Sequence, residues 1–338
     1  MQLAIAELPL AQAGDDELRQ CYEAQIVTHS ADYPSDPVLS YEAYTEQMRQ
    51  PVSVLGPRRL WTARLDRQIV ATATVAFPQH ENRHMAITTV RVPPQHRRQG
   101  IGSALLHATF ATARGEGRNT VEGIAKAGGD GERWALALGF EKTKERVTQD
   151  LIIADVDPAR WAVPAPAGFR AECWTGTAPE PLVAGYARAR TAIRDAPTGS
   201  SSYQHPDWTV QRVRAHEAAS RDRGCELRTV VAIHEASGTV AGLTEIEVRP
   251  GRNDFAFQLD TAVLPEYRGH GLGRFIKAQM MRRLLADRPL MHMVGTITDA
   301  VNIHMIRVNH QLGYITVDTI CNVEADIETL DREVRNIR

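Results

Sequence analysis

The chain has 338 residues, of which 43% are hydrophobic and 24% charged, and its formal net charge is −2 at pH 7. This length suits two domains of common size, each able to bury a core. A charge balance near zero gives no indication of a nucleic-acid or anionic-membrane partner. No apolar run reaches transmembrane length, the N-terminus lacks the basic start of a signal peptide, and the four cysteines form no C-x-x-C pair. We therefore expect a cytoplasmic protein without a disulfide framework.

The first half of the chain alternates strand-like and helix-like patterns. Apolar residues at alternate positions predict strands, and apolar residues three or four positions apart predict helices. Strands are predicted at residues 2–8, 60–65, 69–77, 85–92, 120–125 and 144–153. Helices are predicted at residues 15–28, 41–49, 102–114 and 132–138.

A proline-rich segment separates the two halves. Residues 156–167 carry three prolines and little periodicity, which predicts a stiffened linker between domains at residues 1–155 and 168–338. The second half then repeats the order of the first. Its predicted strands are residues 169–174, 227–234, 240–248, 255–264, 291–297 and 315–323, and its predicted helices are 181–194, 208–222, 272–284, 300–310 and the tail 324–338.

A glycine-rich loop between a strand and a helix is the most informative stretch of the second half. The strand ends at Pro265, the loop runs from Arg268 to Gly273, and an amphipathic helix follows. The first turn of a helix has backbone N–H groups without internal partners, and glycines let a bulky anion approach them. Arg268 adds a positive charge with donors suited to phosphate. The pattern favours a diphosphate ligand.

The same pattern occurs in the first half. Both loops read R-x-x-G-x-G, and both halves later carry L-G-F or L-G-Y, at residues 138–140 and 312–314. Two matched loops with matched flanks indicate a duplicated domain. The corresponding residues, 171 positions apart, are Val92 and Val263, Arg97 and Arg268, Gly100 and Gly271, and Gly102 and Gly273.

These motifs resemble the GNAT superfamily of N-acetyltransferases, and residues 302–314 resemble the tandem members of the mycothiol-synthase kind. The resemblance implies an α/β fold (an α+β mixed sheet) of two tandem domains, each a mostly antiparallel twisted sheet flanked by helices. It also implies acetyl-CoA as co-substrate, with its diphosphate on the loop amides. The cofactor-binding residues implied are Val263, Arg268, Gly269, Gly271, Gly273 and Asn302, together with Val92, Arg97, Gly100 and Gly102.

Carboxylates distinguish the two halves. Asp260 lies three residues before Val263 and resembles the carboxylate that some GNAT members use for the substrate amine, and Glu245 lies on the preceding strand. The residue corresponding to Asp260 in the first half is Thr89. We predict that Asp260 and Glu245 are catalytic and that the first domain is structural or degenerate. The alternative for Asp260 is a solvated or capping carboxylate, and Glu247 is expected to be a solvated partner of a nearby arginine.

The usual general acid of the resembled family is missing. Many members carry a tyrosine four residues before the glycine of L-G-F, whereas this chain has Ala135 and Asn309 there. A thiol with a pKa of about 8.5 leaves tolerably without a dedicated acid. Tyr314 and Tyr267 are alternative acids, although a packing role is the stronger expectation for each. Asn302 matches a CoA-contacting asparagine of the family, and a helix-capping role is the alternative.

The first half also contains a sequence that is typical of zinc sites. Residues 80–84 read H-E-x-x-H, which binds zinc only when a helix places both histidines on one face. Pro78 precedes the motif and strand-like runs flank it, so the sequence predicts a loop between two strands. No metal is expected.

The sequence thus predicts an acetyl-CoA-dependent N-acetyltransferase acting on a small-molecule amine by direct attack in the C-terminal domain. The alternatives are transfer to a peptide or protein amino group, use of a longer acyl-CoA, and a non-catalytic acyl-CoA-binding module. A monomer and a homodimer are both compatible with the sequence, and no nucleic-acid or membrane partner is expected.

Overall fold

The structure, a computed structural model, describes residues 2–34, 36, 38–49 and 56–336. It divides into two compact units. Unit 1 comprises residues 1–145, 199–203 and 319–338, and unit 2 comprises residues 146–198 and 204–318. Residues 337 and 338 of the predicted C-terminal helix lie outside the described residues.

Unit 1 contains a six-stranded sheet in the order β1-β2-β3-β4-β5-β12. All neighbouring strands are antiparallel except β4 and β5, which are parallel. The strands are β1 (Leu3–Leu8), β2 (Arg58–Leu65), β3 (Gln68–Ala76), β4 (Met85–Arg91), β5 (Thr120–Lys126) and β12 (Ile315–Asp326). The helices are α1 (Asp15–Asp32), α2 (Tyr41–Arg49), α3 (Ile101–Gly115), α4 (Asp130–Ala137) and α9 (Ile327–Asn336).

Unit 2 contains a sheet of the same kind, in the order β6-β11-β10-β9-β8-β7. Here β10 and β11 form the parallel pair and the other neighbours are antiparallel. The strands are β6 (Glu141–Ile152), β7 (Phe169–Thr175), β8 (Glu226–His234), β9 (Thr239–Val248), β10 (Phe255–Val263) and β11 (Met293–Asp299). The helices are α5 (Glu180–Thr191), α6 (Val210–Asp222), α7 (Leu272–Asp287) and α8 (Ile303–Leu312).

The last strand of each unit comes from the other half of the chain. Residues 146–152 of β6 pair with β11, and residues 320–326 of β12 pair with β5. In the predicted division at residues 1–155 and 168–338, β6 would belong to the first domain and β12 to the second. The compact units therefore differ from the predicted ranges at these two strands, because each sheet takes its sixth strand from the opposite half.

The segment predicted as a linker is part of unit 2. Residues 158–161 form a 3₁₀ turn, and Trp161 is buried with its indole Nε1 donating to the backbone oxygen of Leu312 at 2.9 Å. The Asp157 carboxylate accepts from the amide of Ala159 at 2.9 Å and so caps the turn. Residues 156–167 are thus partly ordered by burial of a large aromatic side chain.

The cores lie where the sheets meet their helices. In unit 1, apolar side chains of β2, β3 and β5 pack against α3 and α9, with Leu105, Phe110 and Ile327 fully buried. In unit 2, one sheet face packs against α7, through Phe275, Ile276 and Met280, and a second cluster under α5 and α6 includes Tyr186 and Val213. In the described part of the chain, no helix has both the length and the apolar character needed to cross a bilayer.

Candidate active site

The two glycine-rich loops adopt the same backbone conformation. Gly271 caps α7 with φ 76° and ψ 10°, and Gly100 caps α3 with φ 75° and ψ −4°. Arg268 and Arg97 both have φ −70° and ψ 161°. A residue with a side chain pays about 1–2 kcal/mol at such positive φ values, so glycine is the preferred residue at the two caps. The repeated motif therefore encodes the same turn in each unit.

One loop position differs between the units. Gly269 has φ +83°, whereas the corresponding residue of unit 1 is Arg98 with φ +62°. A Cβ atom added at Gly269, Gly271 or Gly273 would meet no atom within 4 Å. The amides at the start of α7 thus border open space, as an anion-binding helix terminus requires.

The arginine of each motif binds its own loop. Arg268 donates through Nε to the backbone oxygen of Val263 at 3.0 Å, and through Nη2 to Asp195 at 2.5 Å. Arg97 makes the matching Nε bond to Val92 at 3.0 Å, and its Nη2 binds the Asp32 carboxylate at 2.8 and 2.9 Å. The predicted phosphate-binding donors are therefore engaged by protein groups, and the arginine fixes the loop to the end of its strand.

In unit 1, further contacts fill the loop surroundings. Arg97 also binds Asp130 at 3.1 Å, so two carboxylates balance its charge. A Cβ atom at Gly102 would lie 3.5 Å from the Trp134 ring, whose Nε1 donates to Ser103 Oγ at 3.2 Å. The residue 174 positions after Trp134 is Val308, and the space beside Gly273 is open. The unit 2 loop is the more accessible of the two.

A β-bulge in the predicted catalytic strand of unit 2 has no counterpart in unit 1. On β10, Gln258 pairs with Ile246 and Thr261 pairs with Thr244, so one extra residue is accommodated within residues 258–261. The matching strand of unit 1 is regular, and Thr89 pairs with Thr74 without interruption. A bulge can turn a backbone N–H away from the ladder and make it available to a ligand.

The backbone pairing between the two parallel strands also ends at different points in the two units. Residues 255–257 of β10 pair with residues 293–295 of β11, whereas residues 85–88 of β4 pair with residues 120–123 of β5. Because unit 2 has one extra residue within 258–261, Phe257 corresponds to Ile87, and pairing ends one position earlier in unit 2. Beyond that point Thr296 Oγ1 donates to the backbone oxygen of Gln258 at 3.3 Å. Unit 2 therefore has the longer stretch of β10 without a backbone-paired parallel neighbour.

The structure brings Asp260 and Glu245 together through Arg190. Arg190 Nη2 lies 3.0 Å from Glu245 Oε2 and 3.6 Å from Asp260 Oδ2. The Glu245 side chain is fully buried, whereas that of Asp260 is 38% exposed. Burial raises the pKa of the Glu245 carboxyl, and the charge of Arg190 opposes this rise. Of the two predicted acids, only Asp260 faces solvent.

Several residues that sequence reasoning missed surround this pair. The Tyr186 hydroxyl donates to Glu245 Oε1, and the guanidinium carbon of Arg190 lies 3.4 Å from the ring centroid of Trp208. Tyr186 and Arg190 are four residues apart on α5 and share its buried face. An arginine within an otherwise apolar face was the available signal, because a buried guanidinium needs a carboxylate partner.

Glu247 pairs with arginines, as predicted, but it is buried rather than solvated. It lies 3.2 Å from Arg223 Nη2 and 2.9 Å from Arg249 Nε, and its side chain is 8% exposed. Both acids of β9 are therefore matched by arginines, and among Glu245, Glu247 and Asp260 only Asp260, on β10, is substantially exposed.

The asparagines of the second half have structural contacts. Asn302 Oδ1 accepts from the amide of Met305 at 3.1 Å and caps α8, which is the alternative role considered from the sequence. Asn309 is buried, and its Nδ2 donates to Gln149 at 2.9 Å and to Thr298 at 3.3 Å. Tyr314 is also buried, and burial raises the pKa of its phenol. An amide at position 309 supplies no proton to a thiolate.

The H-E-x-x-H motif lies in the connection between β3 and β4. His80–Asn82 form a single 3₁₀ turn, His80 has φ +60°, and His84 immediately precedes β4. The prediction of a loop is confirmed, since no α-helix places the two histidines on one face. Within residues 2–34, 36, 38–49 and 56–336, no three His, Cys, Asp or Glu side chains group as metal ligands.

Known structures of the same architecture cover nearly the whole chain. A tandem GNAT protein from the clavulanic acid biosynthesis pathway has 23% identity and a TM-score of 0.77, covering 96% of this chain and 99% of its own. A GCN5-related N-acetyltransferase from Sphaerobacter thermophilus has 16% identity and a TM-score of 0.73, covering 96% of each chain. At these identities the likeness shows the fold. No curated protein matches the chain in sequence.

The family model is matched twice along the chain. The acetyltransferase (GNAT) family model matches residues 18–128 and residues 190–314, each segment containing one glycine-rich loop. Together the two segments span more than half of the chain. The predicted tandem arrangement, the mixed α/β fold and the assignment as an acyltransferase are thereby confirmed. The chain belongs to the GNAT acetyltransferase family and carries two of its domains in tandem.

Proposed function

We propose that the protein transfers an acetyl group from acetyl-CoA to the amine of a small molecule, by direct attack, in unit 2. The observation that carries this proposal is the half-exposed Asp260 at a β-bulge of the strand that leads into the accessible glycine loop. Unit 1 has Thr89 on a regular strand at the corresponding position, and we assign it a structural role. The reaction is therefore proposed for one unit of the two.

The proposed binding mode uses the features of unit 2 in order. The CoA diphosphate takes the amides around Gly271, at the positive end of the α7 dipole. The pantetheine and thioester lie along the stretch of β10 after Phe257, which has no backbone-paired parallel neighbour. The acceptor amine approaches Asp260 from the side of α5 and α6. Holding both reactants in line supplies much of the rate enhancement.

The proposed reaction balances with the groups on this strand. An alkyl amine with a pKa of about 10 is protonated near neutrality, and Asp260 accepts its proton directly or through water. The amine nitrogen then attacks the thioester carbonyl carbon, and a backbone N–H at the bulge donates to the developing oxyanion. The attached nitrogen loses its second proton to solvent, the carbon–sulfur bond breaks, and CoA leaves as a thiolate. Solvent protonates the thiolate, since Asn309 replaces the tyrosine of related proteins.

Cofactor binding is tested by alanine at the two helix-capping glycines. Gly271→Ala is expected to weaken acetyl-CoA binding by about tenfold or more, because it strains a left-handed residue at the anion-binding amides. Gly100→Ala is a closely matched control, since Gly100 has nearly the same φ and an equally open Cβ position. Isothermal titration of both variants with acetyl-CoA measures the difference. Weakening by Gly100→Ala alone would place the cofactor in unit 1 and overturn the assignment.

Substrate class is tested by thiol release. Acetyl-CoA is offered with a panel of small amines and, separately, with peptides carrying a single amino group. Release of CoA with small amines supports the proposal. Release with peptides alone, or only with longer acyl-CoAs, would replace it by the alternative acceptor or donor.

A further inference from the structure

Arg190 is a buried cation that the reaction as proposed does not use. Its side chain is 3% exposed, and its guanidinium carbon lies 3.4 Å from the Trp208 ring centroid. A guanidinium stacked on an aromatic face is held in orientation as well as in position. The Tyr186 hydroxyl lies 3.4 Å from Nη1 and restrains the other side of the group. Arg190 is thus a rigid element of the wall beside Asp260.

One nitrogen of this guanidinium joins two strands. Arg190 Nη2 lies 3.0 Å from Glu245 on β9 and 3.6 Å from Asp260 on β10. These strands are the pair whose register shifts within residues 258–261. An extra residue in a strand is left outside the regular ladder, so its side chain needs another partner to fix its direction. Arg190 is the partner that the structure provides for Asp260.

The exposure of the two acids indicates a division of roles. The Glu245 side chain has no solvent exposure and pairs with the buried guanidinium of Arg190, whereas the Asp260 side chain is 38% exposed to solvent. Removing a partner from a buried ion pair is costly, so Glu245 keeps the guanidinium in place. One oxygen of Asp260 lies towards Arg190, and the exposed side remains accessible to an amine.

We propose that Arg190 is a positioning residue that acts through Asp260, holding its carboxylate at the bulge in the direction of the attacking amine. This inference rests on the proposed function, since it assumes that Asp260 accepts the proton. It assigns a catalytic effect to a residue of α5 that does not touch the reacting atoms. A general base misplaced by an ångström loses much of its effect.

The test replaces Arg190 by lysine, which retains the charge but loses the planar fork. A lysine ammonium is a compact point charge, so it pairs with one carboxylate and loses the shared geometry. Arg190→Lys is expected to lower kcat by about thirtyfold and to leave the Kd for acetyl-CoA within about twofold. A merely structural residue would instead lower the unfolding temperature and raise the Kd for acetyl-CoA.

Arg223→Lys is the matched control. Arg223 is also largely buried, and its Nη2 lies 3.2 Å from Glu247 Oε2. Glu247 is two residues after Glu245 on β9. It makes no contact with Asp260 among the ion pairs of the described residues. Its kcat is expected to stay within about threefold of the unsubstituted protein. An equal loss of kcat in both variants would overturn the proposal.

The decisive measurement repeats Arg190→Lys in the background of Asp260→Asn. If Arg190 acts through Asp260, the two losses are not additive, and the double variant is about as slow as Asp260→Asn alone. Additive losses would overturn the proposal. If Arg190→Lys does not fold, the double variant Arg190→Gln/Glu245→Gln, which removes both buried charges, is compared with and without Asp260→Asn in the same way. Failure of the unsubstituted protein to release CoA with any amine would refute the proposed function itself, and is therefore distinguishable.

Discussion

Asp260→Asn is expected to lower kcat by about a hundredfold or more and to leave the Kd for acetyl-CoA within about twofold. The substitution keeps the size of the side chain and its place at the bulge, but it removes the acceptor for the amine proton. The loss should shrink as the pH is raised from about 7 to about 9.5, because an alkyl amine with a pKa near 10 increasingly reaches the site already neutral. Initial rates of thiol release across this range measure both effects.

Asp254→Asn is the control for this substitution. Asp254 immediately precedes β10, and its side chain is 64% exposed. Its Oδ1 lies 3.3 Å from Arg252 Nε. An exposed pair of this kind contributes little, so the rate should be unchanged. A loss in Asp260→Asn that stays constant at every pH would contradict the role of proton acceptor. In that case the carboxylate would act by orienting the substrate, and the dependence on the amine's ionisation would be absent.

The glycine loops show how much of the site the sequence could predict. Their backbone conformation follows from local chemistry, since a left-handed residue at the helix cap selects Gly100 and Gly271 wherever the motif occurs. The motif could not reveal that Arg97 binds Asp32 and that Arg268 binds Asp195. These aspartates end α1 and a 3₁₀ turn, and each lies more than 60 residues before its arginine in the sequence. A donor that suits phosphate also suits carboxylate. The motif alone does not show whether its arginine binds a phosphate or a carboxylate of the protein.

Strand partners were beyond the reach of the sequence for a different reason. Strands β6 and β12 were predicted close to their observed bounds, but each pairs with a strand from the opposite half of the chain. Alternation of apolar residues specifies that a segment is extended and which face is buried. It does not specify the neighbour, because backbone hydrogen bonds are the same for any partner. The order of the strands within each sheet is a property of the whole chain.

Arg190 shows a third limit. Its position four residues after Tyr186 places it on the buried face of α5, within the helix predicted at residues 181–194. Its partners Glu245 and Asp260 lie more than 50 residues away, on two strands. The sequence suggested that these acids matter and that a helix precedes them. Only the three-dimensional arrangement joins the three residues into one cluster.

Lys277 presents the largest expected effect on stability. Its side chain lies on the buried face of α7 with 2% exposure, and its Nζ is 5.1 Å from the Tyr314 ring centroid. Burial lowers the pKa of this lysine from 10.5 to about 7. The residue at the corresponding position of α3 is Leu106, which is buried in the core of unit 1. An apolar side chain is therefore accommodated at this position of the repeated helix.

Lys277→Met is expected to stabilise unit 2 near neutral pH. Between about pH 7 and the ordinary lysine pKa of 10.5, the unfolded chain binds a proton that the folded chain does not, so stability falls as the pH is lowered. Below about pH 7 both states are protonated and this dependence ends. The full shift corresponds to at most about 5 kcal/mol, and the methionine variant should unfold on the order of 10 °C higher at pH 7.

Calorimetric unfolding between about pH 6 and pH 10 measures both the gain and its pH dependence. Leu106→Met is the matched control, because it makes a volume-conserving change at the corresponding helix position and should alter stability by less than about 1.5 kcal/mol at any pH. The gain in Lys277→Met should shrink steadily as the pH approaches 10, where the unfolded lysine also begins to lose its proton. A gain independent of pH would mean that packing alone is improved. A loss of stability would mean that Lys277 keeps its charge in the folded protein, with the Tyr314 ring as a net stabilising partner.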